Sequence, residues 1–163
     1  MRNLEVKVKI LNKMGIVNLL KKLGAEHVCT MKQTDYYFCL GANKEKLRTI
    51  NDCEHQLIIY RRAERQGRKD SEYEISELNE KEKNHLLESR KIIKDVEKIR
   101  ELWKYGHTRI HIDHVKHLGN FLELETVIKD ISLEGGENEF RTIIDKLQIN
   151  LVDSVPASYS DLV

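Results

Sequence analysis

The chain opens with a strict alternation of polar and apolar residues. Glu5, Lys7 and Lys9 occupy one face of the segment 4–10, and Leu4, Val6, Val8 and Ile10 occupy the other. A repeat of two indicates a β-strand, because successive side chains of a strand point to opposite faces. Segment 4–10 is therefore predicted to be a strand.

Similar segments, separated by turn residues, predict further strands. They span 34–40, 46–50, 56–62, 71–75, 94–104, 107–114 and 118–128, with a hairpin turn at Tyr105 and Gly106. The polar stretch 63–70 is predicted as a loop. Its Arg65, Arg68 and Lys69, with Ser71 beside them, form either a solvated loop or a lid that contacts phosphate.

Apolar residues at helical spacing predict helices over 12–23, 79–90 and 136–147, and the tail 156–163 fits a single turn. Asn12 can cap the first helix, and Gly24 can end it. Asn79 and Glu82 have the spacing of a capping box at the start of the second. About eight strands and three helices predict an α+β fold that is dominated by an antiparallel sheet.

Charged and polar residues recur at a spacing of two on six predicted strands, so each set shares one face. The sets are Glu5, Lys7 and Lys9; Lys46 and Arg48; Tyr60 and Arg62; Lys98 and Arg100; Arg109, His111 and Asp113; and Glu123 and Glu125. On an ordinary sheet these faces would be solvated. In a closed barrel with helices packed outside, they would turn inward. The repeated basic pairs favour the barrel.

An enclosed hollow lined by Lys and Arg is costly unless a polyanion fills it. Triphosphate is such a ligand, because Arg and Lys donate charge-assisted hydrogen bonds to phosphate oxygens. Glu123 and Glu125 lie about 7 Å apart along one strand face. Together with Glu5 they could hold Mg²⁺ or Mn²⁺, which would offset the repulsion between these carboxylates and the phosphates.

At these residues the sequence resembles the CYTH family, the triphosphate-tunnel fold of class IV adenylate cyclases and thiamine triphosphatases. The matching segments are NLEVKVKI (3–10), KLR (46–48), YRR (60–62), KIR (98–100), RIHID (109–113), LGNFLELE (118–125) and SYSDL (158–162). The likeness is greatest to the class IV adenylate cyclase branch. It implies a single domain over 1–163 that forms an eight-stranded antiparallel β-barrel with helices packed outside.

The resemblance also implies roles for individual residues. It implies metal ligation by Glu5, Glu123 and Glu125, with Asp113 as a further candidate, and catalytic roles for Glu5, Lys7 and Asp113. The implied phosphate-binding residues are Lys7, Lys9, Lys46, Arg48, Arg62, Lys98, Arg100 and Arg109, with Arg61 as the alternative to Arg62. Tyr36, Tyr60 and His111 either line the substrate's organic side or pack structurally. The family motif begins Glu-x-Glu-x-Lys, but Asn3 stands at its first Glu, which removes one acid from the expected metal site.

The composition limits the classes of protein to which the chain can belong. A net charge of +1, from 28 basic and 27 acidic residues, argues against a strongly cationic nucleic-acid binder. Three cysteines without a C-x-x-C motif, no long apolar run and no secretory signal predict a cytoplasmic protein away from membranes. The resemblance alone suggests a homodimer.

Three functions stay open from the sequence. The first is a metal-dependent hydrolase of tripolyphosphate, thiamine triphosphate or a nucleoside triphosphate. The second is an adenylate cyclase, in which the ribose 3′-hydroxyl attacks the α-phosphate of ATP. The third is a non-catalytic binder of nucleotide or polyphosphate, which the acid missing at Asn3 would suit.

Overall fold

The computed structural model describes residues 2–41, 43–65 and 68–163, and for 62–65 and 68–71 only the backbone. The strands are β1 (Arg2–Lys9), β2 (Glu26–Cys39), β3 (Asn43–Ile50), β4 (Glu54–Arg65), β5 (Arg68–Leu78), β6 (Lys94–Tyr105), β7 (Thr108–Val115) and β8 (Gly119–Ile128). The helices are α1 (Lys13–Leu23), α2 (Glu80–Ser89), α3 (Leu133–Lys146) and α4 (Tyr159–Leu162), with a 3₁₀ turn at Leu151–Asp153. None of these helices is long and apolar enough to cross a membrane.

The strands form one closed antiparallel barrel in the order β1-β5-β4-β3-β2-β6-β7-β8. Strand β1 closes it by pairing with β8 over its whole length and with β5 near its start. The predicted eight-stranded barrel is confirmed. Closure also fixes the inside and outside of every strand, because neighbouring side chains alternate between the two faces.

The main apolar core lies outside the barrel, between its wall and two helices. Its wall residues are Leu4, Val6, Val8, Ile110, Ile112, Leu122 and Leu124, and its helix residues are Leu20, Phe140, Ile143, Ile144 and Leu147. Burial of this surface drives the packing of α1 and α3 against β1, β7 and β8. The charged faces of the same three strands therefore turn to the interior.

The ends of the helices follow the predicted capping residues. The Asn12 side chain accepts a hydrogen bond from the Gly15 backbone at 3.0 Å, and Gly24 ends α1 with a φ of 89°. The Asn79 and Glu82 capping box is present at α2. Helix α3 begins before Gly136, which differs from the prediction. A Cβ atom there would lie 2.2 Å from Ile128 Cδ1, so glycine allows α3 to approach β8 closely.

Two regions contain more strand than the pattern predicts. Strand β2 begins at Glu26 and not at residue 34, because its first half pairs along β6 from Glu26 opposite Lys104 onward. The predicted loop 63–70 is wrong, since β4 and β5 stay paired up to Arg65 opposite Arg68. Residues 66–67 and the side chains of the lid candidates lie outside the described part of the chain.

Candidate active site

Alternate residues of the strands line a cavity of about 280 Å³ inside the barrel. Among the lining side chains that the structure describes, six are basic: Lys7, Lys46, Arg48, Lys98, Arg100 and Arg109. Three are acidic: Glu5, Glu123 and Glu125. His111 and Tyr60 line it as well. The structure thus brings together most of the residues that the sequence singled out on separate strands.

A buried carboxylate holds three of the basic residues in place. Asp35, on β2, is 1% exposed and receives hydrogen bonds from Arg48 at 2.7 and 2.8 Å and from Lys46 at 3.0 Å. The Nζ atom of Lys98 lies 3.7 Å from the same carboxylate. Burial alone would raise the pKa of Asp35, but these cations hold it well below its usual range. Asp35 was not among the residues predicted from the sequence.

The pKa of Lys98 is also perturbed. Lys98 is 5% exposed, and burial together with the neighbouring Arg100 lowers the pKa of its ammonium group well below the usual value. A phosphate oxygen nearby would favour the protonated ammonium form. Anion binding and protonation of Lys98 therefore favour each other.

A second buried carboxylate, Asp113, is held by Arg100. The guanidinium donates Nε to Oδ1 at 2.7 Å and Nη2 to Oδ2 at 2.6 Å, and the Tyr159 hydroxyl donates to Oδ2 at 2.8 Å. Burial opposes its ionisation, yet Arg100 and Lys98 lower the pKa of Asp113 to about 2. Asp113 is not a lining residue of the cavity. Its oxygens hold Arg100 and Tyr159, and its predicted roles as a metal ligand and catalytic acid stay predictions.

A compact group of residues whose side chains can ligate a metal ion lies on β7 and β8. One ligand atom each from His111, Glu123 and Glu125 lies within 4.8 Å of the others. Glu5 was predicted as the third ligand. It lines the cavity from β1, and its Cα is paired to that of Glu125. The compact group contains His111 and not Glu5. His111 was predicted only as a substrate-lining residue.

The protonation states in this group suit a divalent cation. Burial and Arg100 lower the pKa of His111, which favours the neutral imidazole. Burial alone would raise the pKa of Glu123, but the His111 hydrogen bond and the charges of Lys7 and Arg100 hold it well below its usual range. Ionised carboxylates and a neutral imidazole are the forms that ligate metals. Two carboxylates fit Mg²⁺ or Mn²⁺ as oxygen ligands.

The acids of this group also contact basic residues. Glu123 lies 3.6 Å from Lys7 Nζ and 3.3 Å from Arg100 Nη2. Glu125 accepts a hydrogen bond from Arg109 at 2.8 Å, and Arg109 also donates to the Tyr73 hydroxyl at 3.1 Å. Lys7, Arg100 and Arg109 therefore lie where a ligand could bridge the basic residues and a metal ion.

Other predicted residues lie elsewhere. Lys9 is exposed at the end of β1 and does not line the cavity. Tyr36 does not line it either, whereas its neighbour Tyr37 does, because the two face opposite sides of β2. Arg61 is exposed. The side chain of Arg62 is outside the described part of the structure.

The C-terminal segment closes one end of the barrel. Lys44 donates to the Ser158 and Ser160 hydroxyls and to Asp161, and Lys94 donates to the Ser160 carbonyl at 2.9 Å. The Tyr159 ring lies under Lys7, with Nζ 3.9 Å from its centroid. Partners on several strands thus hold α4 across the end of the barrel. Segment 158–162 is part of the family resemblance, but the sequence assigned it no role in the site.

A closed eight-stranded antiparallel barrel with helices outside and a charged interior is the triphosphate-tunnel fold. The profile of the CYTH domain matches residues 1–159. A Methanocaldococcus jannaschii protein named "Putative adenylate cyclase" is 30% identical over 99% of this chain and 98% of its own length. The chain belongs to the CYTH domain family.

Solved structures agree with this fold. The PH1012 protein of Pyrococcus horikoshii superposes with a TM-score of 0.85 at 22% identity, covering 99% of both chains. The Hippeastrum protein HpAC1, described as having a dominant triphosphatase activity, superposes with a TM-score of 0.65 at 12% identity, covering 98% of this chain and 93% of its own. At these identities the likeness shows the fold alone.

Proposed function

We propose that this protein is a divalent-metal-dependent triphosphatase that binds its substrate inside the barrel. The observation that carries the proposal is the composition of the cavity wall. Six basic side chains line it beside a group of two carboxylates and an imidazole whose ligand atoms lie within 4.8 Å of one another. The dominant triphosphatase activity described for HpAC1 adds support.

In the proposed mechanism, Lys46, Arg48 and Lys98 bind phosphate oxygens from one side of the cavity. Asp35 fixes their positions before substrate arrives, so little reorganisation is needed when charge develops in the transition state. The contact with Asp113 gives the same preorganisation to Arg100, which lies two residues after Lys98 on β6. These residues act by positioning and charge neutralisation, which dominate catalysis of phosphoryl transfer.

The metal ion would be held by His111, Glu123 and Glu125, and when bound it would neutralise charge on the phosphoryl oxygens. Glu5 is the candidate that orients the attacking water, because it lines the cavity beside Glu125 on the adjacent strand. Lys7, 3.6 Å from Glu123, is placed to contact a phosphoryl group held by the metal.

Adenylate cyclase is the second candidate, supported by the name of the M. jannaschii relative. The CYTH family contains both kinds of enzyme, and the same cavity can bind ATP for either reaction. A cyclase must in addition hold the ribose so that its 3′-hydroxyl reaches the α-phosphate. Hydrolysis requires only an ordered water, and we therefore place it first.

Product analysis separates the candidates. The protein is incubated with ATP, thiamine triphosphate or tripolyphosphate and with Mg²⁺ or Mn²⁺, and the products are resolved by chromatography. Release of orthophosphate supports the triphosphatase, whereas cyclic AMP with pyrophosphate supports the cyclase. Thermal stabilisation by these ligands without turnover would instead indicate a binding protein.

A pair of lysine substitutions tests whether the reaction takes place in the cavity. Lys46→Met removes a charge that lines it, and we expect the KM to rise about tenfold, in line with the loss of one charge-assisted hydrogen bond. Lys32→Met removes a charge whose side chain is 52% exposed and lies 3.7 Å from the surface residue Asp52. It should leave the KM unchanged. Equal effects of the two substitutions would contradict the proposed binding site.

A further inference from the structure

The stretch 154–157, which leads into α4, runs beside the part of β1 that carries Lys7. The Val155 backbone donates a hydrogen bond to the Lys7 carbonyl at 2.7 Å, and Ser154 forms a β-bridge with Val8. The Ala157 carbonyl accepts a hydrogen bond from Lys7 Nζ at 3.4 Å. This stretch therefore holds Lys7 both by its backbone and by the end of its side chain.

The Tyr159 ring contacts two cations that reach the cavity from different strands. Nζ of Lys7, on β1, lies 3.9 Å from the ring centroid, and Nζ of Lys98, on β6, lies 5.2 Å from it. All three residues line the cavity and are at most 5% exposed. An aromatic ring attracts an ammonium group over its face, and the attraction increases when both are shielded from water. The ring therefore restrains both ammonium groups, and it acts more strongly on Lys7, which is nearer.

The Tyr159 hydroxyl acts on a third cation through a carboxylate. It donates to Asp113 Oδ2 at 2.8 Å, and the same carboxylate accepts two hydrogen bonds from Arg100. The ring and the hydroxyl thus have separate targets. Substitution by phenylalanine removes only the contact of the hydroxyl, whereas substitution by leucine removes both contacts.

The position of Lys7 needs a support other than a carboxylate. Asp35 and Asp113 hold the cations of β3 and β6 and do not line the cavity. Glu123, 3.6 Å from Lys7, does line it and is a proposed ligand of the metal ion. A bound metal ion competes with Lys7 for the charge of Glu123, whereas the uncharged Tyr159 ring keeps its contact.

These contacts assign a task to Tyr159, which rests on the proposed triphosphatase function. We infer that Tyr159 is a positioning residue whose ring holds the Lys7 ammonium group where it meets the phosphate chain of the substrate. Helix α4 fixes the ring before substrate binds, because Lys44 and Lys94 anchor α4 and do not line the cavity themselves. The C-terminal helix is therefore part of the machinery that binds phosphate.

A double-mutant cycle tests whether the ring acts through Lys7. The kcat/KM values of Tyr159→Phe and Tyr159→Leu are measured with and without Lys7→Met. The substrate is whichever of ATP, thiamine triphosphate and tripolyphosphate the unmodified protein hydrolyses fastest. With Lys7 present, we expect Tyr159→Leu to lie about tenfold below Tyr159→Phe, the scale of a buried contact between a cation and a ring. With Lys7→Met, the difference should shrink to about twofold or less.

Two results of the cycle would overturn the inference. Equal kcat/KM values for Tyr159→Phe and Tyr159→Leu in the presence of Lys7 would mean that the ring has no part in phosphate binding. A difference of undiminished size in Lys7→Met would mean that the ring acts through packing and not through Lys7.

A second buried aromatic residue is the matched control for packing. Phe140, on α3, is 2% exposed in the core outside the barrel and does not line the cavity. Phe140→Leu should lower the melting temperature and leave kcat/KM of the folded protein unchanged. A loss of kcat/KM equal to that of Tyr159→Leu would contradict the positioning role.

If Tyr159→Leu does not fold, NMR spectroscopy of the unmodified protein reports the contact directly. The ring current of an aromatic side chain shifts protons over its face upfield. The Lys7 Hε resonances should therefore lie upfield in the unmodified protein and in Tyr159→Phe. Resonances at the positions of exposed lysines would overturn the inference.

Binding measurements separate this inference from the function on which it rests. If none of the three compounds is turned over, the triphosphatase proposal fails, and the same cycle is measured on the dissociation constant of tripolyphosphate by calorimetry. A difference between Tyr159→Phe and Tyr159→Leu that shrinks with Lys7→Met would still support the positioning role. A failure of the unmodified protein to bind tripolyphosphate would overturn both proposals.

Discussion

Asp35 and Glu123 are both buried carboxylates among cations, but their contacts differ. Asp35 is 1% exposed, and its oxygens accept hydrogen bonds from Arg48 and Lys46 at 2.7 to 3.0 Å. Glu123 is 8% exposed and lines the cavity, and its basic partners Lys7 and Arg100 lie at 3.6 and 3.3 Å. The hydrogen bonds to Asp35 are shorter, and Asp35 itself is not among the residues that line the cavity. The contacts of Glu123 are longer, and Glu123 lines the cavity.

The difference assigns different tasks to chemically similar groups. A carboxylate with short contacts to several cations acts as a fixed counterion, which allows the cations to stay buried before an anion binds. A cavity-lining carboxylate with longer contacts, beside Glu125 and His111, can exchange some of them for a metal ion. Asp113 acts as a fixed counterion like Asp35, because both of its oxygens accept hydrogen bonds from Arg100 or Tyr159.

The largest effect is expected from removing the fixed counterion. Asp35→Asn keeps the size of the side chain but leaves Lys46, Arg48 and Lys98 without its charge. Breaking a buried ion pair from one side costs about 3–5 kcal/mol, and urea unfolding should show a loss of this order. Tripolyphosphate should raise the melting temperature of this variant more than that of the unmodified protein, since it supplies the missing negative charge.

The matched control for Asp35 is a surface acid. Asp52 lies 3.7 Å from Lys32 with its side chain 75% exposed, and an exposed pair contributes about 0–1 kcal/mol. Asp52→Asn should therefore leave unfolding almost unchanged. If Asp35→Asn were as stable as Asp52→Asn, the counterion role of Asp35 would be wrong.

The second prediction concerns the cavity-lining carboxylate. Glu123→Gln removes a charged metal ligand, and we expect metal-dependent turnover to fall by about 100-fold or more, because loss of an outer-shell partner of a metal ligand already costs about 10- to 100-fold. Metal titrations of the rate should also shift to higher concentration. Glu97→Gln, a half-buried acid paired with Lys116, serves as the control and should keep full activity. Unchanged metal-dependent turnover in Glu123→Gln would show that the metal group is misassigned.

Much of the barrel could be predicted because its signals are local. The alternation in β1 and the capping residues Asn12 and Asn79 act within a few positions of the chain. A local pattern was not enough to predict that the charged faces point inward. That prediction rested on the recurrence of basic pairs on separate strands together with the family resemblance. Lys46, Arg48, Lys98 and Arg100 were found in this way.

The missed residues depend on contacts between distant segments. Asp35 meets Lys46 and Lys98 only through the register of β2 with β3 and β6, which no local pattern contains. The aromatic run around Tyr36 and Tyr37 has no polar alternation, so the pattern does not distinguish the inner from the outer tyrosine. Tyr159 reaches Asp113 across 46 positions of the chain.

The third prediction concerns the effect of low pH on Asp113, the second buried carboxylate that acts as a fixed counterion. The pKa of Asp113 lies at about 2 in the folded protein against 3.8 for the free group. Because the folded value is the lower one, the stabilisation is complete above the unfolded value and is lost as the pH falls through about 2. At about 1.4 kcal/mol per unit, this contributes about 2 kcal/mol.

The measurement for Asp113 is urea unfolding as a function of pH. The free energy of unfolding should fall more steeply below pH 4 in the unmodified protein than in Asp113→Asn, which cannot titrate at this position. Identical slopes for the two proteins would exclude a strong contact between Asp113 and Arg100 in solution.

The prediction with the smallest expected effect tests whether Asp113 also anchors the C-terminal helix α4. Tyr159→Phe removes only the hydroxyl that donates to Asp113 at 2.8 Å and keeps the ring beneath Lys7. A buried hydrogen bond contributes about 1 kcal/mol, and more if the remaining partner is charged. The substitution should therefore lower the free energy of unfolding by about that amount. In an Asp113→Asn background the same substitution should cost less, since the charged acceptor is already gone, and additive costs would mean that α4 is held without this bond.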